Sequence, residues 1–330
     1  MVALRKPQPI LDDNAFAADV LRGLSMTPKR IPAKYFYDAE GSVLFEQITA
    51  LPEYYPTRCE LAILRAHGKD IAGVIPEGAA LVEFGTGSTK KVRLLLKHAP
   101  KLACYVPVDI SAEMLEAEAA ALRRDKPQLP VLPVVADFCR SFPLPKETQA
   151  APVRVGFFPG STIGNFEPHE AADFLRHTSN ILGANAFLII GVDLIKDTAV
   201  LNAAYNDKQG VTAKFNRNVL FRINRELGAN FKPDCFEHHA FFNRERSRIE
   251  MHLASHKRQK VRVLGETVEF RAGETIHTEN SYKYSVESLA ALARGVGWMR
   301  AGVWTDKKNY FSVQAFRFVG VQAARMDLGE

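Results

Sequence analysis

The stretch that most constrains the fold runs from Leu81 to Lys91, with the sequence LVEFGTGSTKK. Its apolar start predicts a buried strand that Glu83 closes, and the pattern over residues 90–97 predicts a helix. Gly85 and Gly87 lie in the turn between them, where the absence of a Cβ lets a ligand approach the backbone. Such a turn presents N–H groups to ligands in α/β sheets, although it also occurs as an ordinary strand-to-helix connection.

Strand and helix patterns alternate from this turn to Val192 and predict a parallel sheet covered by helices on both faces. The predicted strands are Ala80–Phe84, Ala103–Val108, Val131–Val135, Val153–Phe158 and Phe187–Val192. Ligands bind at the carboxyl ends of such strands. Polar residues cluster at those ends, namely Gly85, Asp109, Asp137 and Asn165.

The pattern changes after Lys196, where two predicted helices precede a series of alternating segments. The alternating segments are Phe236–Phe242, Ser247–Ser255, Lys260–Val263, Thr267–Phe270 and Thr275–Ser281, and they predict an antiparallel sheet. A predicted helix at Val286–Val296 and a hairpin at the end of the chain then complete the first sheet. We therefore expect an α/β domain (57–196 and 284–330) interrupted by an α+β domain (10–56 and 197–283).

Three helix starts are predicted in the N-terminal part of the chain. An amphipathic helix is expected at Asp13–Leu24, and Ser42 is the predicted N-cap of the next helix. The sequence Thr57-Arg58-Cys59-Glu60 has the capping-box pattern, so a third helix is expected to begin there.

Carboxylates and an aromatic residue at the strand ends indicate the class of ligand. Asp109 lies roughly 20 residues beyond the glycine turn, where nucleotide sites place the acid that binds ribose hydroxyls, although it could instead cap the next helix. Asp137 could accept a hydrogen bond from an exocyclic amine, and Phe138 could stack on the ring that carries this amine. This set suits an adenosine without a pyrophosphate and favours cationic S-adenosylmethionine (SAM) over NAD. Lys90 and Lys91 could bind the methionine carboxylate or lie on a solvated helix face.

Composition excludes several classes of protein. Of 330 residues, 47% are hydrophobic, yet no apolar run approaches the roughly 20 residues of a membrane helix. The net charge of +6 could serve nucleic acid, an anionic membrane or acidic metabolites, but the basic residues are spread out. Four separated cysteines without a C-x-x-C motif indicate free thiols in a reducing compartment. With no signal peptide evident, we expect a cytoplasmic protein that does not bind a membrane.

Other candidate sites are weaker. Cys235, His238 and His239 do not predict a metal site, because adjacent histidines on a strand point to opposite faces. The basic run over residues 256–260 has no interleaved aromatic residues, so no nucleic-acid site is expected. Ser161 lies in GSTIG rather than in a G-x-S-x-G nucleophile motif. Tyrosines outside the parallel strands could together contact an ammonium group.

Eight blocks of sequence resemble one enzyme family, the SAM-dependent L-histidine Nα-methyltransferases of ergothioneine biosynthesis. The blocks are PKRIPAKYFYDAEGSVLFEQIT, LPEYYPTRCE, VEFGTGSTKK, GSTIGNFEP, DLIKD, YNDKQGVTAKFNRNVL, RIEM and HTENSYKY, which together span about Thr27 to Phe318. The resemblance implies a Rossmann-like class I methyltransferase domain, with a C-terminal antiparallel hairpin, and an inserted α+β substrate-binding domain.

The resemblance also implies a set of functional residues. Its cofactor site, for SAM, falls on Gly85, Lys91, Asp109, Asp137 and Phe138. Its histidine site falls on Tyr54, Gly160, Asn165, Tyr205, Met251, Glu279 and Ser281, with Tyr37 as the catalytic residue near the methylated amine. Asn165 and Tyr205 are expected at the amino acid's backbone end, and Glu279 and Ser281 at its imidazole.

The expected activity is threefold methylation of the α-amine of L-histidine to hercynine, the first step of ergothioneine biosynthesis. We expect a monomer that needs no metal and binds no nucleic acid. Three alternatives stay open from the sequence: Nα-methylation of another amino acid such as tryptophan, a non-catalytic nucleic-acid-binding module, and a nicotinamide oxidoreductase.

Overall fold

The computed structural model describes residues 13–326, which divide into two compact units. The sheet unit comprises Tyr55–Lys196 and the chain from Tyr282 onward. The insertion unit comprises the chain up to Tyr54 and Asp197–Ser281. The sequence places the corresponding boundaries at 56/57, 196/197 and 283/284, and it assigns cofactor binding to the first unit and substrate binding to the second.

The sheet unit contains a seven-stranded sheet with the order β12-β13-β6-β5-β2-β3-β4. Its strands are β2 (Ala80–Phe84), β3 (Cys104–Asp109), β4 (Val134–Val135), β5 (Arg154–Phe158), β6 (Phe187–Asp193), β12 (Trp298–Thr305) and β13 (Phe311–Phe318). Strands β2 to β6 pair in parallel, whereas β13 runs antiparallel to both β6 and β12. The predicted parallel sheet with a C-terminal antiparallel hairpin is therefore confirmed.

Helices cover both faces of this sheet. They are α3 (Tyr55–Ala72), α4 (Lys90–Leu96), α5 (Ala112–Asp125), α6 (Pro168–Leu182), α9 (Val286–Arg294) and α10 (Val321–Met326), with short 3₁₀ helices at Lys146–Ala150 and Thr162–Asn165. Alternating residues of β2 enter two different apolar cores: Val82 belongs to one and Leu81 to the other. Burial on both faces explains why this strand is a continuous apolar run.

The insertion unit is built from two separate stretches of chain. Its helices are α1 (Asp13–Ser25), α2 (Ala39–Ala50), α7 (Thr198–Tyr205) and α8 (Val211–Leu227), with 3₁₀ helices at Ala33–Phe36 and Pro233–Cys235. Its strands are β1 (Lys29–Arg30), β7 (Phe236–Asn243), β8 (Arg248–Ser255), β9 (Gln259–Val263), β10 (Glu266–Phe270) and β11 (Thr275–Tyr282). They form a four-stranded sheet, β1-β11-β8-β7, and a two-stranded hairpin, β10-β9.

This sheet arrangement corrects the prediction of one antiparallel sheet. The hairpin of β9 and β10 stands apart from the larger sheet, in which β7 and β8 are antiparallel while β1 and β11 are parallel. Residues Lys29 and Arg30, which the sequence places in a connector, supply the parallel edge strand. A two-residue strand has too little alternation to be recognised from sequence.

Two predicted helix starts are wrong. Helix α2 is capped by Asp38, whose carboxylate accepts from the Gly41 N–H at 2.8 Å, rather than by Ser42. Helix α3 begins at Tyr55, so Glu60 lies inside it and cannot close a capping box at Thr57. The third parallel strand is also shorter than predicted, because Val131 makes only an isolated bridge to Tyr105.

Among residues 13–326, no helix combines the length and the apolar character needed to cross a bilayer.

Candidate active site

The glycine turn after β2 is crowded at Gly85 and open at Gly87. Gly85 has φ +71°, and a Cβ there would lie 3.3 Å from Cε1 of Phe138. The Gly85 N–H donates to the Val108 carbonyl at 2.9 Å, which ties the turn to the end of β3. Gly87 has φ +48°, and nothing lies within 4 Å of the position of its missing Cβ. The turn therefore packs against Phe138 on one side and is open at Gly87.

The predicted acids follow two neighbouring strands. Asp109 ends β3, and its carboxylate accepts from the Ser111 N–H at 3.0 Å and from the Gly87 N–H at 3.4 Å. Asp137 follows β4 and accepts from the Cys139 N–H at 2.9 Å. Both side chains are half-buried, and each carboxylate keeps lone pairs beyond these contacts. The structure thus brings Gly85, Asp109 and Phe138 to one edge of the sheet, with Asp137 beside Phe138 in the chain.

This set of residues fits an adenosyl cofactor. Half-buried carboxylates can accept from ribose hydroxyls or an exocyclic amine, and the half-buried Phe138 offers an aromatic surface. The missing Cβ at Gly85 removes a group that would otherwise press on Phe138. Lys91, the second residue of the helix that follows the turn, is paired with Glu60.

Glu60 is a site residue that sequence reasoning missed. Its carboxylate is completely buried, lies 2.6 Å from Nζ of Lys91 and accepts from the Gly160 N–H, which is 3.0 Å from each carboxylate oxygen. Sequence reasoning instead assigned Glu60 to a capping box with Thr57, which is a local contact. The signal available in the sequence is the position of an acid on the apolar face of an amphipathic helix, four residues before Leu64.

Glu83, at the end of β2, is a second buried carboxyl group. Its side chain is fully buried and accepts from the Tyr105 hydroxyl, while its Oε1 has no hydrogen-bond partner among residues 13–326. Burial raises the pKa of Glu83 to about 8, although Tyr105 and Lys91 act in the opposite direction. Glu83 is therefore protonated at neutral pH.

The loop that carries Gly160 and Asn165 is held at several points. Ser161 adopts a left-handed conformation with φ 61°, and its Oγ accepts from the Asp193 N–H at 3.0 Å. A Cβ on Gly164 would lie 2.8 Å from the Tyr282 carbonyl oxygen, so the loop approaches that backbone closely. Asn165 ends the 3₁₀ helix that follows. Ser161 is thus a structural anchor, in agreement with its lack of a nucleophile motif.

Asp193, at the end of β6, joins this loop to a buried group of charges. Its carboxylate accepts from the Tyr55 hydroxyl at 2.8 Å, from Nζ of Lys196 at 2.6 Å and from Nζ of Lys283 at 2.9 Å. The side chains of all three charged residues are at most 4% exposed. Burial lowers the pKa of Lys196 to about 8, while Asp193 opposes this shift.

In the insertion unit, the predicted tyrosines belong to a chain of aromatic contacts. The Tyr37 ring lies 5.6 Å from that of Phe45, which lies 6.2 Å from that of Tyr54. Tyr54 in turn lies 6.3 Å from Tyr205, and Phe215 of α8 packs against both Tyr37 and Phe45. All of these pairs except Phe45–Phe215 have edge-on geometry, which aromatic rings favour.

Tyr205 extends this chain to the sheet of the insertion unit. Its hydroxyl donates to Oγ of Ser281 at 2.8 Å, and both residues are buried. Met251 is buried in β8, where its carbonyl oxygen accepts from the Thr278 hydroxyl at 3.0 Å. Glu279 follows Thr278 in β11 and is half-buried, with its carbonyl oxygen 3.1 Å from Nε2 of His277. The structure thus links Tyr37, Tyr54, Tyr205 and Ser281 and places Met251 and Glu279 on neighbouring strands.

Glu250, His252 and His277 form a polar group that the sequence did not single out. Each offers one possible metal-ligand atom, and these atoms lie within 4.8 Å of one another. The two imidazoles, however, are stacked with centroids 4.7 Å apart and planes 16° apart, so their lone pairs lie in two separate and nearly parallel planes. Arg248 already holds Oε1 of Glu250 at 2.8 Å. Because lone pairs must converge on a bound ion, we assign no metal to this group.

The histidines considered from the sequence have separate partners. Nδ1 of His238 lies 2.9 Å from Nδ2 of Asn216, whereas the His239 ring packs 5.3 Å from Phe241.

The sheet unit has an α/β fold in which a parallel sheet is extended by an antiparallel hairpin. One solved structure that the chain resembles is Burkholderia thailandensis 1,6-didemethyltoxoflavin-N1-methyltransferase, with 10% sequence identity and a TM-score of 0.45, covering 88% of this chain and 92% of that one.

The sequence model of one family, described as histidine-specific SAM-dependent methyltransferases, matches residues 16–318. The chain belongs to this family and is a SAM-dependent methyltransferase, as the resemblance predicted. It is 43% identical over 304 residues to a histidine N-alpha-methyltransferase of Mycobacterium tuberculosis, covering 91% of this chain and 94% of that protein. It is 31% identical to ergothioneine biosynthesis protein 1 of Neurospora crassa, covering 86% of this chain and 32% of that protein.

Proposed function

We propose that the protein transfers methyl groups from SAM to the α-amino group of L-histidine. Three transfers would give Nα,Nα,Nα-trimethylhistidine (hercynine), the first step of ergothioneine biosynthesis. The match of the histidine-specific family to residues 16–318 is the observation that carries this proposal. The names of the relatives in Mycobacterium tuberculosis and Neurospora crassa support the amino acid and the pathway.

The proposed cofactor residues are Gly85, Lys91, Asp109, Asp137 and Phe138. When bound, SAM supplies an electrophilic methyl group on a sulfonium centre. Asp109 and Asp137 would accept from the hydroxyl and amine groups of the adenosine, because both carboxylates have lone pairs left. Phe138 would contact the base, and Lys91 would bind the carboxylate of the methionine part.

The proposed substrate residues divide by the part of histidine that they bind. Asn165 and Tyr205 would hold the backbone end, and Glu279 and Ser281 would bind the imidazole. Tyr54, Gly160 and Met251 would complete the substrate site, with Tyr37 near the reacting amine. The hydrogen bond between Tyr205 and Ser281 supports this division, because it fixes one residue of each group relative to the other.

The chain's own residues would act mainly by positioning. An α-amine is a nucleophile only when it is neutral, so one proton must leave before each transfer. Water and tyrosine hydroxyls such as that of Tyr37 can pass this proton on without a strong general base. Correct orientation of two reactants is worth up to roughly 7–11 kcal/mol of the barrier.

The product of each transfer is bulkier, and the final product has a permanent positive charge. The rings of Tyr37 and Tyr54 both pack edge-on against Phe45, so they belong to one chain of aromatic contacts. A cation over a ring gains roughly 0.5–2 kcal/mol per contact. The trimethylated nitrogen has no N–H left to donate. Tyr37 and Tyr54 could still stabilise its positive charge, because a cation–π contact needs no hydrogen bond.

Mass spectrometry of L-histidine incubated with SAM and the protein tests the proposal. We expect three added methyl groups on the α-nitrogen. The same assay with tryptophan and other amino acids tests the choice of substrate. Preferential methylation of another amino acid would contradict the proposal, and a final product with one or two methyl groups would contradict trimethylation.

The substitution Glu279→Ala tests the proposed recognition of imidazole. A carboxylate that binds the imidazole disfavours side chains that cannot make the same hydrogen bond, so its removal should reduce the preference for histidine over tryptophan. The measurement is kcat/KM for both amino acids, with Glu266→Ala, an exposed glutamate of β10, as the matched control. An unchanged preference in Glu279→Ala would exclude this role for Glu279.

The substitution Asn165→Ala tests the proposed contact with the backbone end of the substrate. The KM for histidine should rise about tenfold, the scale of one or two lost hydrogen bonds, while the KM for SAM changes little. Equal effects on both constants would show that the assignment is wrong.

The proposal also includes a monomer that requires neither a metal ion nor nucleic acid. Light scattering after size-exclusion chromatography measures the first property. Activity after treatment with EDTA and with nuclease measures the other two, and a loss in either treatment would contradict them.

A further inference from the structure

We propose that Glu60 is a positioning residue whose single buried carboxylate couples the cofactor lysine Lys91 to the backbone of Gly160. The inference rests on the proposed function, because that function assigns Lys91 to SAM and Gly160 to histidine. All three residues belong to the sheet unit. Nothing in the local helix pattern requires the link, since Glu60 lies within α3 rather than at its start.

The contacts of this carboxylate are short and directed. Oε2 of Glu60 lies 2.6 Å from Nζ of Lys91. Both carboxylate oxygens lie 3.0 Å from the Gly160 nitrogen, so the N–H donates to the whole group. The side chain of Glu60 is 1% exposed and that of Lys91 is 18% exposed, so water replaces neither contact easily.

Two glycines make room for the link. A Cβ on Gly191 of β6 would lie 1.9 Å from Oε1 of Glu60, a distance that no side chain could occupy. A Cβ on Gly160 would lie 3.1 Å from Nζ of Lys91, and the φ of +86° at Gly160 also favours glycine. The backbone is therefore shaped around the carboxylate and the ammonium group together.

The buried charge of Glu60 makes its carboxylate dependent on Lys91. A fully buried carboxylate is stable only when it is paired and hydrogen-bonded. The neighbouring Glu83 does not compete for Lys91 as an anion, because burial raises its pKa to about 8 and it is protonated at neutral pH. Loss of Lys91 would thus remove the charged partner of Glu60 and leave the Gly160 N–H as a donor to it, and the Gly160 turn would be expected to shift.

The first experiment separates the acceptor function of Glu60 from its charge. In Glu60→Ala the Gly160 N–H loses its acceptor, and the KM for histidine should rise about tenfold, the scale of a lost hydrogen bond to a charged group. In Glu60→Gln the amide oxygen can still accept from this N–H, so the KM should return to within about threefold of the wild-type value. If Glu60 had only a structural role, the substitutions would lower kcat or the yield of folded protein, and Glu60→Ala and Glu60→Gln would have the same KM for histidine.

The second experiment is a double-mutant cycle of Lys91→Met, Glu60→Gln and the pair. Lys91→Met strands the carboxylate, so its melting temperature should fall by about 10 °C. Glu60→Gln in that background removes the stranded charge and should recover at least half of the loss. Binding of S-adenosylhomocysteine, measured by calorimetry, should show the same non-additivity. Additive effects in both measurements would overturn the coupling.

A control variant and a separate readout complete the design. Glu116→Gln removes an exposed ion pair with Arg123, whose side chains are 60% and 42% exposed, and should change none of these values. If the wild-type protein does not methylate histidine, the proposed function fails. The melting temperatures and the calorimetry then still decide the coupling between Glu60 and Lys91, because neither uses histidine.

Discussion

The two units hold their predicted functional residues by different physical means. In the sheet unit, buried charges fix the loops: Glu60 pairs with Lys91, and Asp193 pairs with Lys196 and Lys283. In the insertion unit, the predicted substrate tyrosines are joined by edge-on ring contacts, and a neutral hydrogen bond links Tyr205 to Ser281. Buried charges tolerate little change, whereas ring contacts can adjust.

This difference indicates that the loops of the sheet unit are held rigidly and that the aromatic contacts of the insertion unit can adapt. Breaking a buried ion pair by removing one partner costs far more than losing a neutral hydrogen bond. We therefore expect substitutions in the charged groups of the sheet unit to act mainly on stability. Substitutions in the aromatic chain of the insertion unit should act mainly on the KM for the amino acid.

The substitution Asp193→Asn should give the largest loss of stability. It removes the negative charge that Lys196 and Lys283 share in a buried environment, so the free energy of unfolding should fall by about 3–5 kcal/mol. Denaturation by urea measures this change. Asp173→Asn, which breaks an exposed ion pair with Arg176, is the matched control and should have almost no effect. A loss no larger than that of the control would remove the contrast between the units.

The substitution Glu83→Gln should give an intermediate effect that depends on pH. The pKa of Glu83 is raised from 4.5 to about 8 in the folded protein. Between these values the folded state keeps a proton that the unfolded chain has released, so stability falls as the pH rises through this window. Glutamine does not titrate, and its stability relative to wild type should therefore increase with pH, by at most about 1.4 kcal/mol per pH unit.

Melting temperatures of Glu83→Gln and of the wild type from pH 5 to pH 8 check this expectation. Glu77→Gln, a substitution of an exposed glutamate just before β2, should show no such trend. A constant difference between Glu83→Gln and wild type across this range would show that Glu83 is already ionised at pH 5.

The substitution Tyr205→Phe should have the smallest effect on stability. It removes the hydroxyl that donates to Ser281, at a cost of about 1 kcal/mol. The KM for histidine should rise severalfold, because both residues of the bond belong to the proposed substrate site. A cycle with Ser281→Ala checks that the two effects are less than additive. An unchanged KM would mean that this pair stabilises the unit without binding the amino acid.

The fold of the sheet unit could largely be predicted from the sequence, because its strands are buried on both faces and stand out as apolar runs. Strand β2, its glycine turn and the terminal hairpin were all expected. The two-residue strand β1 was not, since so short an edge strand has no pattern of its own. Asp38, rather than the predicted Ser42, caps α2. Its carboxylate also binds Asn218 and Arg225, which lie far away in the chain and could not be foreseen from the local sequence.

The candidate site was predictable where a single motif carries it and unpredictable where distant residues create it. Asp109 and Asp137 follow strands, so their position at the sheet edge follows from topology. The roles of Glu60 and Asp193 depend on partners up to 138 residues away in the chain, which no local pattern encodes. The sequence did suggest Tyr37, Tyr54 and Tyr205 as members of the group of tyrosines outside the parallel strands, but their separate roles came only from its resemblance to a family.

The place of β13 in the sheet has a consequence for synthesis on the ribosome. This strand lies between β6 and β12, so β6 presents a bare edge until residues 311–318 have emerged. The whole of Asp197–Ser281 is translated during that interval. A nascent chain stalled within that stretch would expose an apolar edge strand to other chains. Chaperone capture and aggregation of arrested nascent chains should therefore be greatest for stalls between residues 197 and 310 and should fall once β13 is complete.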